Sequence, residues 1–242
     1  MYRIPVFILF FTLSANGLFA QKGITKKRPI NLTQFDEKFM HFGFSLGINS
    51  SDFFSETNLG VNDSLLKMES NPQLGFNLGI VADLHIGTNA NLRFIPTLSF
   101  SQRNLEYTFR EGNTLETKKY VKPVESTYID FPLNLKLRSN RHGNFAAYVV
   151  GGGMYSYDLV SQEGVSNTTL NFDDLIVKVN RHTISYQVGA GFDFFLEYFK
   201  FSPEFKFSGG INNNHVQDGT VFSAPINYLK SRIFLISLTF EG

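Results

Sequence analysis

The feature that most restricts this chain is a run in which every second residue is apolar. Ile129, Phe131, Leu133, Leu135 and Leu137 alternate with Asp130, Pro132, Asn134, Lys136 and Arg138. Successive side chains of a strand point to opposite faces, so the run predicts a strand with one apolar face and one carrying both signs of charge. In a helix the same residues would scatter around the circumference. The apolar face must meet either a protein core or lipid, and the charged face either water or a lumen.

Seven further segments alternate in the same way: Phe39 to Asn49, Gln73 to Ile86, the stretch opening at Leu92, Phe145 to Asp158, His182 to Leu196, Lys200 to Ile211 and Ser231 to Phe240. The third loses its pattern near Gln102 and is expected to continue beyond the membrane as Leu105 to Phe109. In Phe145 to Asp158, Gly151, Gly152 and Gly153 leave the faces unassigned. Short turns at 87–91, 139–144 and 198–199 alternate with long connections, of which Ser50 to Pro72 and Leu159 to Arg181 are the largest. That alternation over an even number of strands predicts an all-β fold: an eight-stranded antiparallel up-and-down transmembrane β-barrel. Its turns would lie in the periplasm and its long loops outside. Pro96, Pro132 and Pro203 each remove a ladder hydrogen bond, so bulges are expected there.

The N-terminus fits this destination. Arg3, an apolar run from Ile4 to Leu13 and small residues up to Ala20 have the layout of a cleavable signal peptide, 1–20. Residues 21–38, with Lys22, Lys26, Lys27 and Arg28, read as a mobile periplasmic tail, and 39–242 as the barrel. No later stretch is long enough for a membrane helix. The 242 residues include no Cys, and a formal net charge of +1 gives no reason to expect nucleic acid as a partner. Outer-membrane lipid is the partner that the pattern itself predicts.

Eight strands enclose a space that side chains can fill. Asp83, Arg93, Asp130, Lys136, Arg138, Asp193, Glu204 and Lys206 are the inward candidates, and both signs are present. Charges withdrawn from water persist when paired, so the expectation is a salt-bridged plug without a conducting pore. No cofactor, metal or small-molecule substrate is expected, because neither a phosphate cradle nor zinc-ligand spacing occurs. A lipid-modifying barrel enzyme is the rival reading. It would use His182 with Ser185, or His215 with Ser223 and Asp218, though neither set forms a motif. Asp173-Asp174 and Asn212 to His215 could hold a cation but read as ordinary turns. The outer loop Asn171 to Val179 is apolar enough to pack on a partner or on the barrel rim, with Phe172, Leu175, Ile176 and Val177 as candidate partner contacts.

Five stretches together resemble one family. Arg28-Pro-Ile-Asn-Leu and Phe35-Asp-Glu-Lys-Phe-Met-His-Phe-Gly-Phe-Ser-Leu-Gly-Ile-Asn49 look like the entry into the barrel of the PorT family. Phe94-Ile-Pro-Thr-Leu-Ser-Phe-Ser-Gln-Arg103, Tyr128-Ile-Asp-Phe-Pro-Leu-Asn-Leu-Lys-Leu137 and Gly151-Gly-Gly-Met-Tyr-Ser-Tyr157 are similar to the same family's strands. The resemblance implies an outer-membrane barrel of the type IX secretion system of Bacteroidetes, which exports sorting-domain proteins and serves gliding in some relatives. It implies other secretion proteins as partners and no catalytic residues. A general structural or adhesive barrel is the remaining alternative.

Overall fold

The computed structural model describes residues 29–111, 116–167 and 171–242. The expected signal peptide, 1–20, and the basic cluster of Lys22, Lys26, Lys27 and Arg28 lie outside the described residues. From Asn31 to Gly242 the chain forms one compact unit. Its strands are β1 (Met40–Thr57), β2 (Leu65–His85), β3 (Ala90–Phe94), β4 (Thr97–Arg110), β5 (Thr117–Arg138), β6 (Phe145–Asp158), β7 (His182–Phe195), β8 (Lys200–Gly210) and β9 (Ile226–Glu241). Every pairing is antiparallel, and β1 pairs with both β2 and β9, so the sheet closes on itself. Because β3 and β4 share the neighbours β2 and β5, they form one stave, and the ring has eight. The fold is the eight-stranded antiparallel barrel that the alternation predicts.

Prolines are accommodated differently from the expectation. Thr97 pairs with Asp130 and Phe94 with Leu133, so the break at Ile95 and Pro96 faces Phe131 and Pro132 without any change of register. Two prolines share one gap in the ladder. Pro203 falls in a similar gap, between Gly191↔Glu204 and Phe194↔Phe201. The register shifts are elsewhere, between Pro72 and Phe76 on β2 and at the outer ends of β1 and β2.

Most of one long loop expected from the sequence, Ser50 to Pro72, proves to be strand. Ser50 to Thr57 continues β1 and Leu65 to Pro72 continues β2, leaving only 58–64 as a connection. β5 has 22 residues and so runs about 70 Å, more than twice the height of a ~25 Å apolar belt. The extra length is explained by an inversion of polarity. Below Ile48, Phe100, Ile129 and Phe234 the outward residues are apolar; Phe42, Phe44, Leu133, Leu135, Val188, Phe205 and Ile236 are all exposed. Above that line the outward residues turn polar, as with Gln102, Asn104 and Glu106 on β4. The inward residues of the same strands become apolar, and Phe53, Leu105, Tyr107 and Phe109 are buried. β4 does not slip at Gln102: one face points inward throughout, and only its chemistry changes. The lower half is built for lipid outside and polar groups inside; the upper half is built like a soluble barrel.

Loops fill the upper half. Leu175, Val177 and Val179 from one and Phe222 from another join Phe53, Leu65, Met68, Leu105, Tyr107, Phe109, Val124, Ile226 and Leu229 in a single apolar core. Val179 pairs with His215, so the two loops brace each other. Glycine is needed sterically where strands approach closely in the lower half: a Cβ on Gly43 would lie 1.9 Å from the Phe240 carbonyl oxygen, and one on Gly152 2.1 Å from that of Leu133.

Candidate functional site

The interior is layered from the periplasmic end upward. At the bottom, part of the segment expected as a mobile tail is packed into the barrel mouth. The 3-10 turn Phe35–Glu37 inserts Phe35, which is 4% exposed. Its ring stacks on His41 at 3.6 Å, meets Phe195 edge-on at 5.9 Å and lies under Lys200 at 4.7 Å. Arg138 donates to Asp36 at 2.8 Å, and Arg141 donates to the carbonyls of Asn31 and Leu32. Residues from Asn31 onward therefore cap the barrel.

Above the cap lies the charged layer. Arg93 is its hub: it donates to Glu204 at 2.7 Å and Glu241 at 2.9 Å and lies 3.5 Å from Asp83. Lys136 donates to both oxygens of Asp193 at 2.9 Å, Lys200 lies 2.7 Å from Glu241, and Lys206 lies 2.8 Å from Glu204. Tyr148 donates to Glu204 at 2.8 Å and stands under Lys136 at 3.8 Å. Arg93, Lys136, Lys200 and Lys206 thus face Asp83, Asp193, Glu204 and Glu241, four charges of each sign, all buried. Balanced pairing is what permits charge in a space that excludes bulk water.

A neutral layer follows, in which Asn49 donates to Asn77 at 2.5 Å, Asn77 to Ser99 at 2.9 Å and Asn134 to Gln187 at 2.9 Å. Arg103 is buried above it, bonded to Ser231 at 3.0 Å with Phe53 beneath its guanidinium at 4.7 Å. The apolar core closes the top. Side chains therefore fill the described interior from one end to the other.

All eight inward candidates from the sequence are buried. Seven join ion pairs, with Arg138 serving the cap; Asp130 joins none among the described residues and bonds Ser156 instead. Lys200, Glu241, Arg103 and Tyr148 are buried there as well, outside those eight candidates. Lys200 precedes the outward Phe201 and Glu241 follows the outward Phe240, so the alternation already placed both inside. They lie at strand ends, where they read as turn residues.

The candidate catalytic sets fare differently. His182 is exposed and its Nδ1 lies 2.7 Å from the Tyr155 hydroxyl, whereas Ser185 is buried on the opposite face, so the two cannot act together. His215 Nε2 does lie 2.9 Å from Ser223 Oγ. Ser223 is 0% exposed and accepts the Asp218 amide, so this hydroxyl ties a loop together and offers no access to a substrate. No group of three or more ligating side chains occurs among the described residues. Asn213 accepts from the amides of His215 and Leu229, a turn-forming role. Of the candidate partner contacts, Leu175 and Val177 belong to the apolar core, while Phe172 is 47% exposed and Ile176 is half-buried.

The same loop pair is expected to respond to acid. Burial holds the His215 imidazole below its ordinary 6.5. For Asp218 burial acts upward, but hydrogen bonds from Asn167 and Thr220 outweigh it and keep the carboxylate below its usual range. Both groups are depressed in the folded loops, so their contributions are present above the unfolded values and are lost as pH falls. Limited proteolysis of 211–225 in the membrane-embedded protein should be faster at pH 5 than at pH 7.5, and Asp218→Asn should speed it at pH 7.5. Equal rates at both pH values would contradict this.

Among solved structures the barrel is similar to Neisserial surface protein A, with 8% identity over 82% of this chain and 95% of that one and a TM-score of 0.42. The N-terminal barrel of Pseudomonas aeruginosa OprF has 10% identity over 82% of this chain and 97% of that one, with a TM-score of 0.34. Ail of Yersinia pestis has 11% identity, covering 85% and 100%, with a TM-score of 0.37. No curated protein matches. The model of the outer membrane protein beta-barrel domain family matches residues 19–216, most of a chain whose closed ring and lipid-facing belt have the form this name describes, and the protein belongs to that family.

Proposed function

We propose that this outer-membrane barrel is a non-enzymatic, non-conducting component of a protein secretion assembly of the type IX kind. It would act through surfaces at its two ends. The observation that carries the reading is the interior: an apolar core above and a balanced ion-pair layer below leave no route for a polypeptide or solute. What remains for function is the outer projection and loops, and the periplasmic face around Asp36, Glu37, Arg138 and Arg141. The likeness of its strands to the PorT family supplies the class of partner, other secretion proteins.

Deleting the gene tests this. Surface delivery of sorting-domain cargo should fall to background while outer-membrane permeability to small dyes stays unchanged, and the intact gene should restore delivery. Normal delivery in the deletant would refute the secretion role. A changed lipid A mass that His215→Ala reproduces would refute the non-enzymatic one.

A further inference from the structure

The outer projection leaves a strand edge unpaired. β5 pairs with β4 from Thr117 to Asp130, but with β6 only from Tyr128 downward. At Thr127 the backbone still faces the β6 side, where its carbonyl accepts from Leu159 at 2.8 Å and its amide donates to the Asp158 side chain at 3.3 Å. In an antiparallel ladder, residues facing the same neighbour recur every second position. Lys119, Val121 and Glu125 therefore turn amide and carbonyl toward this open side, and Pro123, with no amide to donate, occupies the same row. No described backbone group bonds to them there. The inward strap of Leu175 and Val177 does not close the gap; its nearest link to this run is Lys122, which donates to the carbonyls of Phe172 and Asp173.

The side chains along this edge are not neutral. Lys118 is exposed, lies over the Tyr120 ring at 5.0 Å and joins no ion pair among the described residues, whereas Lys122 is buried with its ammonium on the Phe172 and Asp173 carbonyls. Lys119 meets Glu106 at 2.5 Å on the open surface, where such a pair is easily exchanged. Val121 is 54% exposed. A cleft of about 340 Å³, lined by Phe109, Lys118, Tyr120, Phe172 and Val221 among others, opens beside the same run. Lysines and a proline on an edge deter promiscuous pairing. They leave one kind of strand acceptable: an acidic one whose backbone fits between Thr117 and Pro123.

We infer that the Lys119–Val121 edge of β5 receives an extended acidic segment of a partner protein of the secretion assembly, which adds to the sheet as a further strand. This deepens the secretion reading and rests on it, but its test is separate. The protein in lipid nanodiscs is titrated with two labelled peptides, one alternating Glu with Val around a central Phe and one with Lys in place of Glu. The Glu peptide should bind and the Lys peptide should not. Val121→Pro removes an edge-facing amide without touching the β4 ladder, and should weaken binding by about tenfold or more. Lys118→Glu with Lys119→Glu should reverse the preference. Equal binding of both peptides, no binding, or binding indifferent to Val121→Pro would overturn the inference and show the edge to be merely guarded. A failed titration together with lost cargo delivery in the deletant would overturn this inference alone.

Discussion

Arg93→Met is expected to destabilise the barrel by about 3–5 kcal/mol, the usual effect of removing one member of a buried ion-pair network. Its guanidinium serves Asp83, Glu204 and Glu241 together, and all three carboxylates are buried. Without it, Glu204 retains Lys206, Glu241 retains Lys200, and Asp83 is left with Lys200 at 3.8 Å. Four carboxylates would then face three cations. The lost charge itself should account for much of the cost, so adding Glu241→Gln ought to recover at least ~1 kcal/mol of it through restored balance. Denaturant unfolding of the detergent-solubilised protein measures both. A single variant within about 1 kcal/mol of the parent would show that solvent, and not pairing, sustains these charges.

Phe222→Ala should have an effect of similar size but in a different place. The ring packs against Tyr107 at 5.0 Å, Phe109 at 5.8 Å, Tyr120 at 5.8 Å and Phe172 at 6.1 Å, with Lys122 over its face at 4.5 Å. Removing it empties the middle of the upper core, at a cost of about 3–5 kcal/mol. Because the lower half has its own pairing and its own lipid contact, the loss should be local. Amide exchange in the outer halves of β4 and β5 should accelerate by roughly two to four decades, while the belt of β6 to β8 stays protected. Uniform acceleration through the whole ring would mean that the two halves unfold as one.

The two halves also differ in how legible they were. From Ile129 to Leu137 the outward residues are all apolar and the inward ones, Pro132 apart, are polar or charged, so strand, face and surroundings could be read together. Above Thr127 the same strand continues with Glu125, Pro123 and Val121 outside and Val124 inside. Neither face is uniform there, so the run resembles a loop until a core is seen to form beneath it. Ser50 to Pro72 misleads for the same reason: its polar outward residues and Pro72 read as a connection, although Phe53, Leu65 and Met68 face inward. The cap could not be foreseen, because nothing local distinguishes Phe35 from any apolar residue in a polar stretch. Its role depends on His41, Phe195 and Lys200 meeting it from three other elements. Catalytic-looking neighbours misled in the opposite sense. His182 and Ser185 are close in sequence, yet an odd separation along a strand puts them on opposite faces.

The central claim is that the outward face changes from lipid to water partway up the same strands. The chain contains no Cys, so nitroxide labels can be attached at single introduced cysteines without background. Leu133→Cys and Ile236→Cys lie below the line, and Gln102→Cys and Val121→Cys above it. In lipid vesicles the first two labels should relax with oxygen and be shielded from a water-soluble nickel complex, and the other two should show the reverse. Free access of nickel to the labels at 133 and 236 would contradict the account.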